Sequence, residues 1–231
     1  MLKKTCVLLA VCLGCVAALQ ADDAVPPKTH PDSSGWQNLF AADLSDAIYP
    51  KGIWSVEKGE MTATEDQIIW TKGQYENCMI DLEFKNGPSA NSGVFIYGSD
   101  LKNWVCNSVE VQILDDFGEK WKDVAKTWQC GGIFGRLAPT KRTVKPEGQW
   151  NRMTITCLGP MVYVLLNGEQ ITQFDLRKCT SATKNPDGSD VPPWISNGKP
   201  AAELPTHGHI GLQGKHGGAP IYFRNLKIKS I

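Results

Sequence analysis

The chain has 231 residues, with 24 Lys and Arg against 24 Asp and Glu, 42% hydrophobic residues and 21% charged ones. Zero formal charge at this low charge density excludes a basic nucleic-acid binder, a polybasic membrane-surface protein and a disordered acidic tail. Frequent glycine (22), proline (14) and tryptophan (8) suit short strands joined by turns, and the length suffices for one all-β domain.

The chain opens with Lys3 and Lys4, an apolar run over residues 6–19, and Leu19-Gln20-Ala21 ahead of Asp22 and Asp23. This pattern predicts a secretory signal peptide over residues 1–21, too short and wrongly flanked to span a membrane. Export to the periplasm or the extracellular space is the expectation. Leu13-Gly14-Cys15 partly resembles a lipobox, with Cys12 where leucine is usual, so a lipid anchor at Cys15 is the lesser alternative. No later segment approaches about 20 apolar residues, and no membrane span is expected. Losing residues 1–21 removes Lys3 and Lys4, leaving 22 basic against 24 acidic residues, or −2. Five cysteines remain (Cys78, Cys106, Cys130, Cys157, Cys179). An odd number implies at least one thiol that is free or paired outside the chain, and the spacing matches no zinc motif.

Residues 22–34, rich in Asp, Pro and Ser, read as a flexible leader before a single domain over 35–231. Period-two alternation then dominates. Cys78, Ile80, Leu82 and Phe84 alternate with the polar Asn77, Asp81, Glu83 and Lys85, which predicts a strand with one wet face. Met153, Ile155 and Cys157 alternate with Arg152, Thr154 and Thr156 in the same way. Cys78 and Cys157 therefore point inward as small buried hydrophobes. Further strands are predicted over 53–56, 60–64, 67–70, 92–97, 108–114, 131–134, 161–166, 170–175, 209–213 and 221–228. Asn167-Gly168, between two alternating runs, is the strongest hairpin signal. Residues 177–206 lack periodicity but contain Trp194 and Ile195, so this long loop is expected to pack along a rim. About twelve short strands imply a two-sheet antiparallel sandwich.

Chemistry concentrates in a few places. In Glu110-Val111-Gln112-Ile113-Leu114-Asp115, Glu110 and Gln112 share one strand face, and a bulge would return Asp115 to it. Two carboxyls there would serve as acid and base; otherwise the face is ordinary solvated sheet. Three histidines (His207, His209, His216) fall within ten residues. His207 and His209 with a carboxylate would suit zinc, yet no third ligand is identifiable. His216, in a glycine-rich loop, is either a titratable site group or an exposed loop residue. Arg224 sits among apolar neighbours and needs a partner, substrate or carboxylate. Asn91 either caps a turn or hydrogen-bonds a sugar hydroxyl. Trp104, Trp121, Trp128 and Trp194 lie in loops expected at the rim, where aromatic faces stack on sugar rings or simply anchor the loops. Serine-hydrolase elbows, phosphate-binding loops and zinc-protease helices have no matching motif.

Several motifs occur together: Gly35-Trp36-Gln37-Asn38-Leu39-Phe40, Ala90-Asn91-Ser92-Gly93-Val94-Phe95, the Glu110 to Asp115 run and Gly131-Gly132-Ile133-Phe134-Gly135. Gly148-Gln149-Trp150-Asn151, Leu166-Asn167-Gly168, Gly208-His209-Ile210-Gly211-Leu212-Gln213 and Phe223-Arg224-Asn225-Leu226 follow in order. The chain thereby resembles the 3-keto-disaccharide hydrolase family over about residues 35–231. The resemblance implies a concanavalin A-like jelly roll, all-β, acting on an oligosaccharide or glycoside oxidised at C3. The implied chemistry is C2 proton abstraction, elimination of the aglycone and hydration. It implies Glu110, Asp115 and His216 as catalytic residues. Asn91, Gln112 and Arg224 are the implied substrate-binding set; Lys215, standing where the family often has Asp, and the rim tryptophans Trp104 and Trp128 read above complete the candidates. No cofactor is implied, and a divalent metal is left open. The rival readings are an ordinary glucanase-type glycoside hydrolase, and a non-catalytic carbohydrate-binding module of laminin-G type.

Overall fold

The computed structural model describes residues 25–231; the signal-peptide expectation falls outside them. In chain order the strands are β1 (Gln37–Asn38), β2 (Ala47–Ile48), β3 (Trp54–Glu57), β4 (Glu60–Ala63) and β5 (Ile68–Thr71). Next come β6 (Cys78–Asn86), β7 (Asn91–Gly98), β8 (Val109–Leu114), β9 (Trp150–Leu158) and β10 (Met161–Leu166). The last are β11 (Glu169–Asp175), β12 (His209–Gln213) and β13 (Ile221–Ser230). They build two antiparallel sheets. The larger has the order β11-β10-β9-β6-β13-β4-β3 with β1 added on β13, and the smaller has the order β2-β5-β12-β7-β8. This is the two-sheet antiparallel sandwich that the strand pattern predicts, in the jelly-roll form that the family resemblance implies.

The period-two pattern decides which side chains meet. Register places Cys78, Ile80 and Leu82 of β6 opposite Cys157, Ile155 and Met153 of β9. They fill the space between the sheets together with Val94, Ile96, Val111 and Ile113 from the smaller sheet. Each fully buried aliphatic side chain contributes about 1.5–3 kcal/mol relative to exposure, so this layer dominates stability. Asn167 and Gly168 hold φ of 52° and 90°, the left-handed pair that a two-residue hairpin between β10 and β11 requires. Among the described residues, Cys78, Cys106, Cys130, Cys157 and Cys179 are all free thiols.

The structure departs from the sequence reading in three places. Residues 131–134 form no ladder strand; Ile133 makes only isolated bridges, to Val111 and to Leu137, because Gly131 and Gly135, at φ of 83° and 66°, bend the chain at both ends. β1 and β2, two residues each, carry no period to read. The leader expectation fails from His30 onward. His30 Nδ1 meets the Thr154 hydroxyl at 2.8 Å while His30 Nε2 accepts from the Gly168 amide at 2.8 Å. Arg152 donates to the Pro31 carbonyl at 2.6 Å, and Ser33 donates to Asp81 at 2.6 Å. Asp81, read as part of the wet face, is consequently buried under this segment and paired with Arg152 at 2.8 Å.

Candidate active site

The outer face of the smaller sheet forms the floor of a cleft of about 330 Å³, near the lower end of the range for small-molecule sites. Alternation on β8 sends Val111 and Ile113 into the core and Glu110 and Gln112 outward, and the pairing sets Phe95 beside Glu110 and Gly93 beside Gln112 on β7. Glycine at 93 has a local reason. A Cβ there would stand 2.3 Å from Glu110 Oε1, so the missing side chain lets the carboxyl lie across the sheet. Phe95 packs edge-on to Trp104 with ring centroids 4.7 Å apart, which fixes one wall. Trp128 and Phe134, 4.8 Å apart, form another, and Trp194 and Ile195 close the rim from the long loop. That loop carries one α-helical turn, α1 (Pro193–Ser196), with Trp194 left 57% exposed.

The polar groups converge with distinct electrostatics. Burial pushes the Glu110 carboxyl up to about 8, and the negative charge of Asp66 adds to the effect. Its side chain accepts no hydrogen bond among the described residues that would hold it ionised, so at neutral pH it keeps its proton. His216 also lines the cleft, with Nδ1 2.6 Å from Asp66 Oδ2. That contact fixes Nδ1 as the donor and leaves the Nε2 lone pair available. An isolated bridge sets the His216 backbone against Asn91. Gln112 donates to Asn91 Oδ1 at 2.9 Å, which turns the Asn91 amide so that its NH2 remains available as a donor. Gln112 is only 1% exposed, and among the described residues its own carbonyl oxygen has no donor.

Glu110, Gln112, Asn91, His216, Trp104 and Trp128 thus meet in one cleft. Asp115 does not join them. No bulge follows Leu114; the strand ends, and Asp115 turns inward, 3% exposed, to accept from the amides of Ser89 at 2.9 Å and Phe117 at 3.3 Å. Arg224 lies on the larger sheet, where it pairs with Glu83 at 2.8 Å and stacks on Trp150 with its guanidinium carbon 4.0 Å from the ring centre. Lys215 is beside His216 in sequence but outside the cleft lining. Trp121 anchors a loop by donating to the Ser89 carbonyl at 2.9 Å. His209 Nδ1 meets the Thr71 carbonyl at 2.8 Å, and among the described residues no cluster of three His, Cys, Asp or Glu side chains is placed to hold a metal ion. Asp66 and Arg136 escaped the sequence reading. Asp66 sits in an unpatterned turn between β4 and β5, 150 residues from the histidine it meets. Arg136 follows the Gly131 to Gly135 bend, which alternation misread as a strand.

The family model described as the 3-keto-alpha-glucoside-1,2-lyase-like domain matches residues 31–229. A crystal structure of a candidate glycosyl hydrolase from Parabacteroides distasonis ATCC 8503 is 49% identical with a TM-score of 0.82, covering 85% of this chain and 99% of that one. A second candidate glycosyl hydrolase from the same organism is 25% identical, TM-score 0.63, covering 82% of this chain and 90% of its own. A Bacillus subtilis protein of galectin-like fold, 10% identical with a TM-score of 0.51 over 84% of this chain and 93% of that one, shares the fold alone. No curated relative matches the sequence.

Proposed function

Since the chain belongs to the 3-keto-alpha-glucoside-1,2-lyase-like family, we propose that it is an exported carbohydrate-active enzyme that cleaves glycosides already oxidised at C3. The observation that carries this reading is one cleft floor holding a protonated carboxyl, Glu110, and a carboxylate-oriented imidazole, His216 with Asp66. A carbonyl at C3 acidifies the C2 proton, and the chemistry then needs a base, an acid and a donor for the ketone oxygen. His216 Nε2 takes the C2 proton, and the C–H electrons move toward the carbonyl, whose oxygen the Asn91 amide is free to hydrogen-bond. The enolate collapses to a C1–C2 double bond as the C1–O bond breaks, and Glu110 delivers its proton to the departing oxygen. Water then adds across the double bond, its hydroxyl to C1 and a proton to C2. Glu110, ionised after the first half, takes the proton from that water, and His216 returns one to C2. Both groups end as they began, and the net change is hydrolysis.

The glucanase-type alternative needs two carboxyls flanking one bond. With Asp115 engaged in a turn, Glu110 has no such partner from its own strand. The test pairs a 3-keto-glucoside with its unoxidised parent. Cleavage of the keto substrate alone supports the reading, and equal cleavage of both overturns it.

A further inference from the structure

Arg136 is 6% exposed, yet among the described residues no carboxylate pairs with it. Among the described residues its buried Nη1 has no hydrogen-bond partner, and Nη2 reaches only the Ile195 carbonyl at 3.5 Å. The titratable neighbour that acts on it is the Cys179 thiol, which burial holds in its protonated, neutral form. A buried guanidinium with no counter-charge is costly in a folded protein and is retained where something else supplies the acceptor. Its tip lies against Ile195, which lines the cleft, and Arg136 itself lines the cleft.

Position along the cleft says what that acceptor belongs to. The segment that leads to Arg136 runs beside β8 in the reverse direction: the Gly131 amide donates to Gln112, and the Phe134 amide donates to Glu110. Arg136 therefore lies past Glu110, at the end away from Gln112, Asn91 and His216. Phe134 bonds to Glu110 on that side, Trp128 packs on Phe134 at 4.8 Å, and Ile195, next to Trp194, lies against Gly135. If the oxidised ring sits between Asn91 and His216, with Glu110 at the scissile oxygen, this end receives the leaving half.

We propose that Arg136 seats an oxyanionic group, such as a carboxylate, carried by the aglycone, so that the enzyme prefers acidic leaving groups over neutral ones. Five donors in a planar fork match a carboxylate bidentately, and the aromatic walls suit a flat aglycone. This inference rests on the functional reading above for the direction in which substrate lies.

The test uses two aryl 3-keto-glucosides that differ only in a para carboxylate or its methyl ester. The wild type is expected to show a KM about tenfold or more lower for the acid, with kcat little changed. Arg136→Met should erase that preference, and Arg136→Lys should retain part of it. Calorimetry with the unoxidised carboxyphenyl glucoside and its ester reads the same preference without turnover. Failure of catalysis would therefore overturn the reaction while leaving the binding result to decide on Arg136. Equal wild-type affinity for acid and ester overturns the proposal, as does a preference that survives in Arg136→Met. Should the methionine variant fail to fold, the wild-type comparison and the lysine variant decide alone.

Discussion

Replacing Glu110 by glutamine should stabilise the protein, and increasingly so as pH rises. The carboxyl titrates at 4.5 in an open chain and at about 8 in the cleft. Between those values the folded protein holds a proton that the unfolded chain has released, so folding stability falls as pH increases and is fully present only below 4.5. Each pH unit in that interval is worth about 1.4 kcal/mol, which sets an upper bound on the order of 5 kcal/mol by pH 8. Because Glu110 opens onto the cleft and water screens it, about 2 kcal/mol is the expected size. Glutamine is isosteric with the protonated acid and does not titrate. Urea unfolding of both proteins from pH 5 to pH 8 checks this. The two should match within about 0.5 kcal/mol at pH 5, with the glutamine variant more stable by about 2 kcal/mol at pH 8. Asp116, pushed up to about 6 mainly by burial, tilts both curves alike and cancels in the difference. A difference that stays constant across the range would refute the account of Glu110 as a carboxyl kept neutral by its surroundings.

Asp66→Asn should lower kcat on a 3-keto-glucoside about 100-fold while the thermal midpoint stays within a few degrees, since it removes the partner that orients His216; steady-state kinetics with a melting curve decide it. Gly93→Ala puts a methyl 2.3 Å from Glu110 Oε1, the far end of a flexible side chain, so the carboxyl moves rather than the sheet. Activity should fall about tenfold or more with stability changed by about 1 kcal/mol at most, measured by kcat and urea unfolding. Asp115→Asn weakens the contacts from the Ser89 amide, which ties the β6–β7 connection to this turn, and from the Phe117 amide within it, so it should destabilise by about 1–3 kcal/mol in urea unfolding and leave kcat within about threefold.

The sandwich was readable from alternation because half-buried strands must repeat every two residues, and the runs around Ile80 and Ile155 do so without interruption. The cleft face of β8 followed from the same rule, which brought Glu110 and Gln112 together correctly. The rule stops where the strand stops: Asp115 needed a bulge to reach the cleft, and the chain turned inward instead. Asp81 shows the opposite failure. Its position in the pattern was polar and outward, but nothing local announces that Pro31 and Ser33 return to cover it. Asp66 and Arg136 act through contacts across 150 and 59 residues respectively, and no spacing within a strand encodes such pairs. The motif order pointed to Asn91 and His216, which line the cleft, and equally to Asp115 and Arg224, which lie outside it.

Following turnover of a 3-keto-glucoside in deuterated water by NMR tests the central claim most directly. Elimination through C2 predicts deuterium at C2 of the released sugar, because the proton taken by half-exposed His216 exchanges with solvent before it returns. Its incorporation should outpace exchange without enzyme and stop in His216→Ala. Cleavage that leaves the C2 proton in place, at equal rates for the keto sugar and its parent, would contradict the account.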